Sequence, residues 1–470
     1  MANKKKSGDI SWTVEEFSKI DLEDKRLNKR CQKIASDLEQ QPTEPINQAC
    51  EDWMDTKAAY RFFDNPKVTP DKIIAAHRGR TVKRMKKHEL VLAIQDTSFL
   101  NYSHHPQTEG LGEIGKKEQK QRGFGMHTTM AVTPQGLPVG ILTQAFFERP
   151  IGAASRTTAE NQRLPIEEKE SYRWLEAFQR TIALKPEGVQ VVTVCDREAD
   201  IYEMFVMAQE QQADLLVRAN TDRRLDEETK KLWAKVESQS QAGELAVDIV
   251  GNDKRQARQA TVTVRSCTVK FQPPWRPQKK LPSVTLTAIL VREENPPANI
   301  KEPIEWLLLT NTTVNDFQQA AQVIEWYCCR WQIEVFHKII KSGCRVEDCR
   351  LQTAARLKNY IALMCVVAWR LQWLTYINRT DPLSPCTTVL TTMEWQALYM
   401  RIHKTSVLPK TIPSTHQAIR WIAQLGGFLG RKSDGEPGIV VTWRGWKRLQ
   451  DLAATWALIA DHHIQVVGNR

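Results

Sequence analysis

Two apolar runs that each stop at an aspartate constrain the fold of this chain most. Residues 89–97 read ELVLAIQDT, and residues 189–200 read VQVVTVCDREAD. Aliphatic and β-branched runs of this length predict buried strands, and the first acids after them are Asp96 and Asp196. We therefore expect both carboxylates at the ends of neighbouring strands. Acids are also common in turns and at helix N-caps, so the pair alone leaves a structural role open.

Further charges follow the second run directly. Asp196 comes first and is nearest to the strand tip, while Arg197, Glu198 and Asp200 lie beyond it. We interpret Glu198 and Asp200 as helix-start residues, which the positive end of the helix dipole stabilises. Asp196 is therefore the candidate for chemistry.

A predicted helix from about residue 316 to residue 341 supplies a third carboxylate. With about 100° of rotation per residue, four of its polar side chains fall within an arc of about 60°: Tyr327, Arg330, Glu334 and Lys341. A charged stripe is often only the solvated side of a helix. This one surrounds its acid with cations and an aromatic ring, which suits a metal site that handles phosphate.

The order of elements predicts an α/β fold. Residues 12–90 have helical spacing, and strands and helices then alternate up to about residue 219. Residues 244–292 are rich in β-branched residues around a basic, proline-rich connection, which predicts an inserted sheet. The stretch 350–470 is mostly helical in pattern. We expect a helical head, a strand-rich core with a β insertion, and a helical tail.

One motif is a decoy. Residues 110–115 read GLGEIG and satisfy the glycine pattern of dinucleotide-binding loops. That function requires a position between a strand and the helix that it opens. Here the segment is polar and lies between two β segments, so we interpret it as a flexible loop.

The charge balance points to a polyanionic partner. The chain has 66 Lys and Arg against 55 Asp and Glu, a net charge of +11 over 470 residues. A modest surplus on a heavily charged background predicts basic patches, for which nucleic acid is the first candidate. The ten cysteines are scattered, which is typical of reduced thiols in the cytosol. The longest apolar run, 361–369, is too short to cross a bilayer, so we expect neither membrane insertion nor secretion.

The sequence resembles a known enzyme family. The pattern Y-x-x-R-x-x-x-E-x-x-x-x-x-x-K at 327–341 is the signature of the bacterial YREK group of DDE transposases. AIQDTS and VCDREADI look like the segments that carry that group's first two catalytic aspartates. AAYRFFDNPKV, EWLLLT, RWQIEVFHK and LGGF are similar to the composite-transposon, Tn-five-like branch of cut-and-paste transposases, and they occur in the same order from residue 58 to residue 428.

The resemblance implies an architecture. It would be an RNase H-like catalytic core with a β-rich insertion at about 240–300, which agrees with the composition break. A helical N-terminal domain, 1–75, would bind transposon ends. The catalytic domain would span 76–370, and a helical C-terminal domain, 371–470, would contribute to dimerisation.

The resemblance also implies the chemistry. Asp96, Asp196 and Glu334 would bind two Mg²⁺ or Mn²⁺ ions, which flank a phosphodiester during in-line displacement. DNA contacts would come from residues of the signature and its surroundings: Tyr327, Arg330, Lys338, Lys341, Trp306, Arg218 and Trp331. Trp306 matches the family's tryptophan that stacks on a flipped base. The partners would be double-stranded DNA and a second copy in a synaptic complex, in the cytoplasm of a bacterium and associated with its nucleoid.

Two other functions remain open at this stage. The first is an RNase H-like nuclease that cuts DNA without joining it. The second is a non-catalytic DNA-binding protein that inhibits transposition. The presence of all three acids argues against the second.

Overall fold

The computed structural model describes residues 11–467 except for 51, 116, 150–163, 227–230, 250, 252–256, 277–279, 299 and 301. Capping explains where the head helices begin: the Asp24 side chain accepts from Arg26 N, and Thr69 caps the helix that opens with Pro70. The head is helical, as predicted, and comprises α1 Trp12–Glu16, α2 Lys25–Gln40, α3 Ile46–Ala49, α4 Trp53–Phe63 and α5 Pro70–Met85.

A mixed sheet forms the centre of the molecule. Its strands are β1 Leu90–Asn101, β2 Gly112–Ile114, β3 Gln121–Val132, β4 Pro138–Phe147, β5 Gln190–Cys195, β6 Asp214–Arg218, β7 Gly243–Ile249, β8 Arg258–Phe271, β9 Val284–Arg292 and β10 Glu305–Thr310. The described strands pair in the order β2-β3-β1-β5-β6-β10-β9-β8-β7, with β4 also on β3. The sheet and its flanking helices confirm the predicted α/β class.

The predicted β-rich insertion is confirmed, and its strands join the central sheet. The strands β7, β8 and β9 extend the central sheet, because β9 pairs antiparallel with β10 over residues 287–292 and 305–310. Local composition cannot reveal this, since it shows that a segment is β-forming but not which edge it will join.

Two local predictions need correction: the position of Asp96 in its strand, and the form of the GLGEIG segment. The strand β1 does not stop at Asp96 but continues to Asn101, paired with β3 throughout. The GLGEIG segment is not a loop over its whole length, because Gly112–Ile114 is the short strand β2 on the edge of β3. Gly110 and Gly115 flank this strand with φ of +78° and +72°, a backbone conformation that favours glycine.

Helices cover both faces of the sheet. After the head they are α6 Tyr172–Leu184, α7 Tyr202–Glu210, α8 Leu232–Glu237, α9 Phe317–Cys328, α10 Trp331–Lys338, α11 Ala354–Thr380, α12 Thr392–His403, α13 Thr415–Leu425 and α14 Ile439–Val467. One core joins the head, α11 and the tail to one face of the sheet. A second core packs α6, α7 and α8 against the other face.

The helix α11 runs through the centre of the larger core. By length and composition it could cross a membrane, but 83% of its most apolar window is buried within the protein. That burial is typical of the core helix of a soluble protein. Some of its polar side chains bond to neighbouring elements; for example, Trp369 Nε1 donates to Pro138 O at 3.1 Å.

The predicted helix over 316–341 is interrupted. It consists of α9 and α10, with a break at Cys329 and Arg330, and then a π-helical turn at Ile339–Gly343. Gly343 at the end of this turn allows a close approach, because a Cβ there would stand 3.0 Å from the Trp443 ring of α14. The tail therefore packs directly on the segment that carries the third candidate acid.

The head and tail meet around a buried, charged junction. Glu39 of α2 is 4% exposed, and its backbone oxygen accepts from Trp446 Nε1 of α14. Arg370 of α11 is also buried, and its guanidinium lies 4.5 Å from the Trp373 ring centroid. Burial, together with nearby Glu394, raises the pKa of Glu39 to about 8, although Arg370 acts in the opposite direction.

This junction predicts a pH-dependent stability. The unfolded Glu39 ionises near its ordinary pKa of about 4.3, whereas the folded one stays protonated up to about pH 8. The folded state therefore loses stability as the pH rises through that window. We expect Glu39→Gln to raise the Tm by about 2–5 °C at about pH 9 and by less at about pH 5.

Calorimetry at both pH values measures this effect. Exposed Glu210 provides the control, since Glu210→Gln should leave the wild-type Tm unchanged at either pH. The same Tm difference between Glu39→Gln and the wild type at both pH values would contradict the assignment.

Candidate active site

Two strands place Asp96 and Asp196 at one level of the sheet. The strands β1 and β5 are parallel, and their register pairs Ile94 with Val194. Each aspartate lies two residues beyond its member of that pair, so the two carboxylates leave neighbouring strands side by side. Pairing with β5 ends here, while β1 continues along β3, which pairs Thr128 with Asp96.

Backbone amides fix one oxygen of each aspartate. Asp96 Oδ1 accepts from Thr97 N at 2.8 Å, and Asp196 Oδ1 accepts from Glu198 N at 2.8 Å. Asp196 is thus the N-cap of a short 3₁₀ turn, Arg197–Ala199.

Asp200 is not a helix-start residue, contrary to the prediction. Its Oδ2 accepts from Asn220 N and Thr221 N, and its Oδ1 pairs with Arg223 at 2.6 Å. The helix α7 begins only at Tyr202. Asp200 therefore ties the loop after β6 to the loop after β5.

Glu334 reaches the two aspartates through Arg330. The Arg330 guanidinium contacts Glu334 Oε1 directly, and its Nη1 lies 3.8 Å from Asp96 Oδ2. Burial of Arg330 opposes its charge, but Tyr327, Glu334 and Asp96 outweigh burial and raise its pKa. The break between α9 and α10 positions Arg330 at the start of α10, one helical turn before Glu334.

The charges of Asp196 and Glu334 both act on Asp96. Burial, together with the charges of Asp196 and Glu334, raises the pKa of Asp96 to about 7, although Arg330 acts in the opposite direction. Arg330 therefore offsets only part of the effect of burial and of the neighbouring acids on this carboxyl group. A strongly perturbed carboxyl in a cluster of like charges is typical of sites that receive a cation or carry out acid–base chemistry.

The donor chemistry fits a hard divalent cation. Three carboxylates supply the oxygen ligands that Mg²⁺ and Mn²⁺ prefer. Across the ranges that the structure describes, no three His, Cys, Asp or Glu side chains lie close enough together to hold an ion. At this site the Arg330 guanidinium contacts both Asp96 and Glu334 and so separates these two carboxylates. To bind a shared ion with the two aspartates, the Glu334 side chain has to turn away from Arg330.

His337 belongs to this site and was not predicted. It is buried one turn after Glu334, and its Nδ1 lies 3.9 Å from Asp96 Oδ2. Burial, followed by Lys341 and Arg330, lowers the pKa of His337 to about 3, so it is neutral there. The E-x-x-H spacing at 334–337, which puts both side chains on one helix face, could have identified it.

Arg173 is a second residue near Asp96 that the sequence did not predict. Arg173 at the start of α6 donates from Nε to Thr97 Oγ1 at 3.0 Å and lies 3.3 Å from Glu198 Oε2. Thr97 Oγ1 also lies 2.8 Å from buried His127 Nδ1. The residues that follow both aspartates are thus linked through one guanidinium. No sequence pattern connects Arg173 to them, because the contact spans 76 residues of chain.

The aromatic candidates form a separate cluster beside the acids. Trp306 on β10 is half-buried, and its ring packs edge-on against Tyr327, 5.2 Å between centroids. Tyr327 is 5% exposed. Arg218 on β6 lies beside the Tyr327 hydroxyl and donates from Nη2 to Glu305 O at 3.1 Å. Three predicted DNA-contact residues are therefore brought together.

The remaining candidates lie further along the same segment. Lys341 is half-buried in the π-helical turn; burial lowers its pKa, and Glu347 acts in the opposite direction. Lys338 is exposed in the last turn of α10, and Trp331 is half-buried at its first residue. The helix thus carries Lys338 on its solvent side.

Comparison with family models matches nearly the whole described chain in three segments. Residues 9–68 match a transposase DNA-binding family, residues 87–370 the transposase DDE domain, and residues 366–457 the transposase Tn5 dimerisation domain. The DDE domain alone spans more than half of the 470 residues, and it implies an RNase H-like core. The order of the three segments is that of the predicted architecture. The chain belongs to the Tn5-like DDE transposases, with a DNA-binding segment, a DDE domain and a dimerisation domain.

Proposed function

We propose that this protein excises a DNA element and joins it to target DNA, with Asp96, Asp196 and Glu334 as its catalytic residues. The observation that carries the proposal is the meeting of these acids around Arg330, inside the segment that matches the DDE domain. An RNase H-like fold alone would not specify the reaction. Three convergent carboxylates beside cations suit the displacement of one oxygen at a phosphodiester by another.

The three carboxylates would hold two Mg²⁺ or Mn²⁺ ions. Bound divalent ions lower the pKa of the attacking oxygen, stabilise the leaving one and offset the charge of the phosphate. Asp96 and Asp196 are already held at one level by β1 and β5. Glu334 would complete the set by leaving Arg330, whose guanidinium would then be available for a phosphate oxygen.

Cationic side chains of the protein would bind and orient the DNA strand. Arg330 and Lys341 flank the carboxylates along the segment 327–341, and Lys338 is exposed beside them. Guanidinium and ammonium groups donate to non-bridging phosphate oxygens, which fixes the scissile bond without reading its sequence. Trp331, at the first residue of α10, would contact the same strand.

We further propose that excision passes through a DNA hairpin. Water would break one strand and leave a 3′-OH, which would attack the opposite strand and release the flanking DNA. A second water would open the hairpin and restore the 3′-OH, which would finally attack target DNA. Each step exchanges one P–O bond for another, so the backbone needs no external energy source.

A hairpin requires a base outside the stack, and Trp306 would receive it. Unstacking costs a few kcal/mol, roughly what stacking on an aromatic side chain returns. Trp306 is half-buried, with its ring fixed against Tyr327, so a base can reach it without disturbing the core. Arg218, beside Tyr327, would contact the adjacent phosphate.

The head contributes a surface for the ends of the element. The helix α4 lies in the matched DNA-binding segment, and it exposes Trp53 by 74% and Met54 by 78%. Lys57 and Arg61 follow at four-residue intervals and are also exposed. An exposed stripe of aromatic, apolar and basic side chains on one helix suits a DNA groove better than bulk water.

The remaining assignments follow from the family. We propose the division into 1–75, 76–370 and 371–470, with two copies of the chain in a synaptic complex with DNA. The protein would act in the bacterial cytoplasm at the nucleoid. A nuclease that cuts without joining is the main rival, and the product pattern on labelled ends separates the two, since hairpins and joined products require transesterification.

Replacing Glu334 tests the catalytic assignment. Glu334→Gln keeps the size of the side chain but removes the charged oxygen ligand, so we expect cleavage to fall by at least about 1,000-fold while DNA binding is kept. The measurement is gel-based cleavage of labelled DNA that carries the inverted repeats flanking the open reading frame, with Mg²⁺. Exposed Glu325 on α9 gives the matched control, Glu325→Gln, which should cleave at the wild-type rate.

Two results would be decisive against this assignment. Cleavage by Glu334→Gln near the wild-type rate would mean that the site is misplaced. Linear products without hairpins or joined DNA from the wild type would favour the nuclease.

Replacing Trp306 tests the hairpin. Trp306→Ala removes the stacking surface, which is worth about 1–3 kcal/mol per base, so we expect hairpin formation to slow by about 10- to 100-fold. Nicking of the first strand precedes base flipping, so the rate of nicking should change little. Trp306→Phe, which retains a ring, should recover most of the rate. Equal loss of nicking and hairpin formation would show instead that Trp306 only supports the fold through Tyr327.

A further inference from the structure

The tail carries more positive charge than its acids can neutralise. Residues 392–457 contain nine Lys and Arg against four Asp and Glu. Each acid is already engaged: Asp434 with Arg431, Glu436 with Arg420, Glu394 in the capping box of α12, and Asp451 with Gln41. Lys447 pairs with Glu44 of the head. Six cations are left without an ion pair within the described ranges: Arg401, Lys404, Lys410, Lys432, Arg444 and Arg448.

Three of these cations line one groove. The groove has a volume of about 510 Å³ and is lined by residues at the ends of α12 and α13 and in α14, among them Arg401, Lys404 and Arg448. All three side chains are exposed. Asp451 is the one acid in the lining, and Gln41 Nε2 donates to it at 2.6 Å.

Helix ends explain part of this arrangement. Arg401 lies in the last turn of α12, Lys404 is its C-cap, and Arg448 donates to Leu425 O at the end of α13. Each helix end carries about half a negative charge, so two ends offset about one unit. With Asp451 counted as well, about one unit of the three positive charges remains. An open groove that stays positive attracts an anion that can reach all three donors.

We propose that this groove binds the phosphate backbone of duplex DNA, so that the tail contacts DNA as well as a second copy of the chain. The inference rests on the family's DNA-binding function and adds a contact outside its DNA-binding segment. The groove adjoins that segment, since Gln41 directly follows α2 and bonds to Asp451 at the groove. The matched DNA-binding segment thus meets the groove at Gln41, next to the cations Arg401, Lys404 and Arg448. Phosphate contacts of this kind position a duplex without reading its bases.

The test removes two of the three cations. Arg401→Gln/Lys404→Gln leaves Arg448 and its bond to Leu425 intact. Binding weakens with salt, and each phosphate contact adds about 0.9 to the steepness of log K against log salt. The double variant should therefore show a slope that is about 1.8 less steep than that of the wild type. The measurement is fluorescence-anisotropy binding of a mixed-sequence DNA duplex by the full-length protein across a salt series. EDTA is included, so the result is independent of the catalytic assignment.

The matched control removes the same charges elsewhere. Arg180 and Lys185 are exposed at the end of α6, and Arg180→Gln/Lys185→Gln should keep the wild-type slope. Sedimentation of each variant reports its oligomeric state. A wild-type slope for Arg401→Gln/Lys404→Gln would overturn the proposal. So would a lower slope that appears only together with loss of the dimer, because the groove would then bind an acidic surface of the second copy.

Discussion

The parallel pairing of β1 and β5 is the constraint on which the rest of the site depends. Because Ile94 is in register with Val194, Asp96 and Asp196 leave the sheet at one level. Their like charges then need a cation, and in this structure Arg330 provides it. Glu334 follows one turn later and shares the same guanidinium. The strand register thus sets the level of the two aspartates, and Arg330 at the start of α10 meets Asp96 there.

Much of this could be predicted from the sequence, because the decisive signals are local. A buried strand needs an apolar, β-branched run, so β1 and β5 were visible, and so was the first acid beyond each run. Helical spacing placed Arg330 and Glu334 on one face. The ordered motifs identified the family, which the three family models confirm. Each of these inferences uses residues that are close in the chain.

The errors and omissions involve contacts between distant residues. The joining of strands β7–β9 to the central sheet was not predicted, since composition does not encode which edge a strand joins. The break at Cys329 and the π-helical turn before Cys344 were missed because the sequence pattern there is regularly helical. Arg173 reaches Thr97 across 76 residues and leaves no local signal. Local patterns thus identify the three acids, while His337 and Arg173 emerge only from contacts in the folded chain.

We propose that Arg330 holds a place that a divalent cation takes when DNA is bound. Anomalous X-ray diffraction from crystals of the protein with DNA and Mn²⁺ tests this proposal. We expect a peak about 2.1 Å from carboxylate oxygens of Asp96 and Asp196, with Glu334 turned away from Arg330. A Mn²⁺ peak away from both aspartates, with the Arg330–Glu334 contact intact, would contradict it.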